Sequence, residues 1–219
     1  MEATKLNLTN SLKKVFLGIG VIILFLICTV QANAQAGFSI GPKAGLSVND
    51  FSSDDGNYSA RVAWAAGLFA NIQLGEMFSV QPEFLIHQKG ATQNVNGQKN
   101  EVRLNYFSVP LLGKIMIPIN GMFYPHILAG PVYNYRLNAK YTASDNGTVS
   151  FNDGDLKRTE IAGALGAGLD IISNNVYFNL DARYNLGFSD LGDNDNNVNI
   201  QNRNWTVMAG IGLRFGSPK

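Results

Sequence analysis

Side chains able to do acid–base or ion-pair chemistry are scarce in this chain, and several recur two residues apart. Asp181 and Arg183 form one such pair, and His87 and Lys89 another. A spacing of two puts both side chains on one face of a β-strand. With Lys43, Arg61, Glu83, Lys114, His126, Arg136, Asp170 and Arg214 they make one candidate set. Charges enclosed together must pair with one another. The same set could also form a path for a proton or solute. Hydrolysis would need more: a histidine beside a serine or carboxylate, held by a third group. His87 and His126 are the only histidines, and nothing in the spacing places a nucleophile beside either. The expectation is no catalytic residue, and a protein that is not an enzyme. Asp193, Asp195 and Asn197 match the first, third and fifth positions of a calcium loop. Val198 stands at the sixth position, where glycine belongs, and Asn204 at the twelfth, where glutamate belongs. No metal and no cofactor is expected.

The elements that must carry these residues are strands. Between residues 176 and 188, Val176, Phe178, Leu180, Ala182, Tyr184, Leu186 and Phe188 alternate with Tyr177, Asn179, Asp181, Arg183, Asn185 and Gly187. Strict alternation gives one apolar face and one polar face. The stretch is longer than the ~5–6 residues of an ordinary strand and long enough for the ~9–11 that cross a bilayer at a tilt. Similar stretches fall at about 38–48, 61–74, 78–89, 102–117, 123–136, 159–171 and 204–215. In the fourth, Val102 and Leu104 are out of phase with Phe107, Val109 and Leu111, which predicts a bulge or an extension above the membrane. Phe38, Trp64, Phe78, Phe123, Tyr133, Tyr135, Phe188, Trp205 and Phe215 fall near strand ends, as interfacial girdles do.

Connections alternate in length. Gly75-Glu76, 118–122 and 173–175 are short, whereas 49–60, 90–101, 137–158 and 190–203 are long and polar. Short periplasmic turns and long external loops are the signature of outer-membrane barrels. The pattern predicts an all-β fold: an eight-stranded antiparallel up-and-down transmembrane β-barrel with both termini periplasmic. Eight strands enclose a space that side chains fill, so Lys43, Arg61, Glu83, His87, Lys114, Asp170, Asp181, Arg183 and Arg214 are expected as a structural lumen network. A soluble barrel with its apolar face inward is the competing fold.

Residues 1–34 read as an export signal: Lys5, Lys13 and Lys14 precede an apolar run, and Ala32-Asn33-Ala34 supplies small residues for cleavage. An N-terminal membrane anchor is the alternative. Residues 35–219 then form one barrel domain. Cys28, the only cysteine, lies in the signal, so the mature chain has no disulfide or thiol chemistry. Loss of three lysines and Glu2 takes the net charge from +1 to −1, which leaves no electrostatic case for nucleic acid. Charged residues make up 15% of the chain, below the ~25% of soluble domains, as expected of a wall solvated by lipid.

Four segments carry a resemblance: Phe107-Ser108-Val109-Pro110-Leu111-Leu112-Gly113-Lys114, Leu128-Ala129-Gly130-Pro131, Asp181-Ala182-Arg183-Tyr184-Asn185-Leu186-Gly187 and Gly210-Ile211-Gly212-Leu213-Arg214-Phe215. In order and spacing the chain resembles the PorT-like "porin family" of outer-membrane β-barrels common in Bacteroidetes, which are Gram-negative. The architecture is similar to that of small OmpA/OmpX-type barrels. The filled lumen and long polar loops point to a structural or binding role, and the resemblance implies an accessory part in protein secretion. Gly210, Leu213 and Phe215 are similar to the signal read by the barrel-assembly machinery, although Met208 stands where a polar residue is usual and four residues follow Phe215. Expected partners are outer-membrane lipid, that machinery and a protein at the external loops. Passive transport of small or apolar solutes is the second reading, and a rim-sited hydrolase the third.

Overall fold

The computed structural model describes residues 37–52, 58–59, 61–95, 98–119, 121–143, 147–150, 158–188 and 201–216. They form ten strands: β1 (Gly37–Ser52), β2 (Tyr58–Ser59), β3 (Arg61–Gln73), β4 (Phe78–Val95), β5 (Gln98–Met116), β6 (Phe123–Ala143), β7 (Gly147–Ser150), β8 (Thr159–Ser173), β9 (Val176–Gly187) and β10 (Gln201–Phe215). Eight are long, and each long strand pairs antiparallel with its neighbour in the chain. β1 pairs with β10, from Phe38↔Phe215 to Ser52↔Gln201, which closes the ring. Closure removes the bare edges that lipid could not solvate. No described helix is long and apolar enough to span a membrane.

The pleat sorts side chains as the alternation predicts. Leu46, Trp64, Leu68, Leu111, Ile127, Leu165, Leu180, Trp205, Val207 and Leu213 stand exposed on the outer wall. Lys43, Glu83, Lys114, Asp170, Asp181 and Arg183 are buried inside. An exposed apolar surface this continuous has no place in water. Charges inside and apolar residues outside reverse the arrangement of a soluble barrel, so that fold is excluded. Ile72 departs from the pattern: outward by phase, it is nevertheless buried.

Three strands are much longer than a bilayer crossing needs. β4, β5 and β6 run 18, 19 and 21 residues, about twice the ~9–11 required. Segment 90–101 is therefore not the long loop expected. It is a hairpin whose ladder continues to Val95↔Gln98. Residues 137–143 and 147–150 are likewise strand. Beyond the bilayer-spanning stretch no lipid dictates the outer face of a strand, so the apolar/polar alternation of the sequence lapses while the backbone ladder persists. β2 and β7 flank the extension, through Tyr58↔Gln93 and Lys140↔Ser150, giving a projecting sheet in the order β2-β4-β5-β6-β7. The slip near Val102 and Leu104 has its structural counterpart beside it. Asn105 pairs with Asn138 but Tyr106 with Arg136, so Leu137 is an extra residue on β6.

The turns at the opposite end are tight. Asn174, between β8 and β9, has φ 49°, a left-handed conformation that asparagine tolerates well. Gly121, before β6, has φ 68°.

Candidate functional site in the barrel lumen

Inward positions on six strands converge on one ion network. Glu83 on β4 receives both arms of the Arg183 guanidinium, each at 2.7 Å. This fork-to-fork geometry is the strongest common carboxylate contact. Lys43 on β1 donates to Glu83 at 3.1 Å and also bonds Asp181 and Asn179. Arg183 reaches Asp181, its neighbour on the same face of β9. Gln81 adds a bond to Glu83 at 2.6 Å. Lys114 on β5 meets both oxygens of Asp170 on β8 at 3.1 Å and lies 3.4 Å from the Tyr177 hydroxyl.

His126 on β6 bridges the two halves. Its Nε2 lies 2.9 Å from Asp181 Oδ1 and its Nδ1 3.5 Å from Asp170 Oδ2. An ionised carboxylate only accepts, so Nε2 carries a proton. Asn179 spans the same gap, donating to Asp170 at 2.7 Å and Asp181 at 2.9 Å. Gly168 leaves room for this bridge: a Cβ there would stand 2.6 Å from His126 Nε2 and 2.7 Å from Asp181 Oδ1. Glu83, Asp170 and Asp181 balance Lys43, Lys114 and Arg183, and both Glu83 and Asp181 are 0% exposed. A buried ion is tolerated only when charge and hydrogen-bond capacity are met together, and this network meets both at nearly every atom. Among the described buried side-chain atoms, Gln73 Nε2, Asn134 Nδ2 and Arg183 Nε have no partner.

The remaining expected residues lie elsewhere. Arg214 donates to Gln73 at 3.0 Å, apart from the main cluster. His87 lies above the network with Nε2 3.1 Å from Ser47 Oγ. Arg136 is buried on the upper part of β6. The side chains of Arg61 and Lys89, and the loop holding Asp193, Asp195 and Asn197, are outside the described residues. Gln81, Asn179, Tyr177 and the buried Glu160 were not among the expected site residues. All four sit at inward positions, so phase alone could have flagged them.

Two chemistries are testable against this geometry. His126, Asp170 and Asp181 offer ligand atoms within 4.8 Å of one another. Lys43 and Lys114 already neutralise both carboxylates, and a divalent ion would sit beside two ammonium groups. The trio suits the ion network and not a metal. The Ser47–His87 contact is the serine–histidine pair that spacing could not place. Ser47 is 0% exposed, and the cavity beside His87, lined also by Ala65, Leu85, Pro110, Arg183 and Met208, measures about 20 Å³. That volume holds one water and no acyl or peptidyl substrate.

A closed wall, apolar outside and filled inside, defines a transmembrane β-barrel. A family model described as "Outer membrane protein beta-barrel domain" matches residues 31–193, and the chain belongs to that family. No protein of curated function matches it. Among solved structures, the outer membrane protein OprG from Pseudomonas aeruginosa is 16% identical with a TM-score of 0.51, over 83% of this chain and 97% of that one. Neisserial surface protein A is 13% identical, TM-score 0.49, over 82% and 99%. Ail, the attachment invasion locus protein of Yersinia pestis, is 21% identical, TM-score 0.44, over 83% and 99%. At these identities the likeness is one of fold. The chain is an outer-membrane β-barrel protein.

Proposed function

We propose that the protein is a non-enzymatic outer-membrane barrel, closed to bulk flow, that acts through its external strands and loops as a structural or binding element. The observation that carries this reading is the charge-balanced lumen: three carboxylates, three cations and His126 fill the cross-section. The projecting sheet supports a role outside the membrane, because strands twice the spanning length serve no need of the bilayer. The resemblance of Phe107 to Lys114 and Asp181 to Gly187 to PorT-like barrels supports an accessory role in a secretion system. Export by residues 1–34, periplasmic termini and assembly through Gly210, Leu213 and Phe215 belong to the same reading.

The test is conductance of pure protein in a planar bilayer, with shortened 137–158 and 190–203 loops compared in cells. Silence across the voltage range, with a phenotype lost on loop shortening, is expected. Discrete conductance steps would establish passive transport instead. Unchanged phenotypes in the loop variants would remove the binding role.

A further inference from the structure

Two of the three tight turns are bordered by exposed apolar residues, and those two are neighbours in the ring. Leu74 and Met77 flank Gly75-Glu76 between β3 and β4, while Ile117, Ile119 and Met122 lie between β5 and β6. All five are more than 40% exposed. The third turn, Ser173-Asn174-Asn175 between β8 and β9, is exposed and wholly polar. The short-turn end is therefore apolar on the β3–β6 side and polar on the β8–β9 side.

We propose that the β3–β4 and β5–β6 turns are seated in the acyl-chain boundary of the adjoining lipid leaflet, whereas the β8–β9 turn stands in water. The occupant of the patch is membrane lipid, because the patch continues a surface lipid already covers. Ile117 and Ile119 prolong the outward row of Leu111 and Ile115, and Leu74 has the phase of Leu68 and Ala70 beyond the buried Ile72. Part of each turn's backbone is also internally paired, which lowers the cost of seating it in lipid. Leu74 N donates to Phe78 O at 2.9 Å, Met116 N to Met77 O at 2.7 Å, Ile117 N to Pro125 O at 2.8 Å and Ile119 N to Phe123 O at 2.8 Å. Glu76, at the tip of the first turn, is exposed and reaches the headgroups. The barrel then sits with its β3–β6 wall deeper at this end than its β8–β9 wall. Either this wall is buried further or the axis leans, and both give the same unequal immersion.

This inference rests on the membrane-barrel reading, and the experiment separates the two. In a Cys28→Ser background, the full chain carries one of Leu74→Cys, Ile119→Cys, Asn174→Cys or Leu180→Cys, each at an exposed position. Proteins are placed in phosphatidylcholine nanodiscs, which leave both ends open, and reacted with a charged maleimide. The folded fraction is read from unboiled gel migration. Asn174→Cys should react about ten times faster than Leu74→Cys and Ile119→Cys, since a thiol in hydrocarbon does not ionise readily. Leu180→Cys should be as protected as those two, and all four should react alike in urea. If Leu180→Cys is protected but Leu74→Cys and Ile119→Cys match Asn174→Cys, the patch stands in water and the inference is overturned. If Leu180→Cys also reacts fast, the membrane reading itself fails.

Discussion

Glu83 sits at the junction of the lumen network, accepting from Arg183, Lys43 and Gln81. Neutralising it leaves three buried cations, Lys43, Lys114 and Arg183, sharing two carboxylates. Glu83→Gln should lower unfolding stability by about 3–5 kcal/mol, the usual cost of breaking one side of a buried pair. Glu83→Gln combined with Arg183→Met should recover much of that loss, because no orphan cation remains in the pair. Urea titration in detergent or lipid, run as a double-mutant cycle, checks both. Gly168→Ala gives a second prediction. Its methyl would stand 2.2 Å from Leu180 O and 2.6 Å from His126 Nε2, so β8 must shift against β9, stability should fall and the imidazole resonances of His126 should move. Unchanged resonances would show that the neighbours yield instead. At this scale the sequence was partly legible. Phase assigned Lys43, Glu83, Asp170, Asp181 and Arg183 to one interior. It could not say that Lys43 meets Glu83 and Asp181, 40 and 138 positions away, because those meetings depend on how strands stagger around the ring. Glutamine and asparagine were passed over because they carry no charge, yet Gln81 and Asn179 complete the bonding that makes the charges tolerable.

Strands divide into a part that lipid dictates and a part that it does not. Within the membrane, the outward face is fixed by solvent, and the sequence shows it plainly in β9 and β10. Leu180→Arg, on the central outer wall, should cost about 2–4 kcal/mol, whereas Val62→Arg near the external rim should cost about 0–1 kcal/mol. Unfolding in bilayers, followed by the fluorescence of the outward Trp64 and Trp205, measures the difference. Equal costs would mean that the wall is not graded by depth. Above the membrane the solvent signal vanishes, which is why 90–101 reads as loop from its polarity. A different signal was present there. Val95 and Gln98 pair across Asn96-Gly97, the dipeptide that two-residue hairpins favour. Turn chemistry survives where hydrophobic periodicity does not. The slip at Val102 and Leu104 belongs to this extension: β5 keeps one register with β4 there, and the extra residue, Leu137, lies on β6.

The whole molecule is a ring, and its integrity depends on β10 as much as on any other strand. The folded protein should resist detergent and migrate faster unboiled than boiled on a gel. Removal of residues 204–219 should abolish the fast form, since β1 and β9 would each be left with a bare edge. A truncated chain that still migrated fast would show closure by other strands. The order of pairing also bears on the history of each molecule before it reaches its membrane. Most neighbours in the ring are neighbours in the chain, but residue 38 finds its partner only at residue 215. Until the last strand arrives, the first strand therefore has β3 for one edge and no mate for the other, beside an outer face that water rejects. A cell that makes this protein must keep the chain escorted and unpaired until its final strand has been delivered.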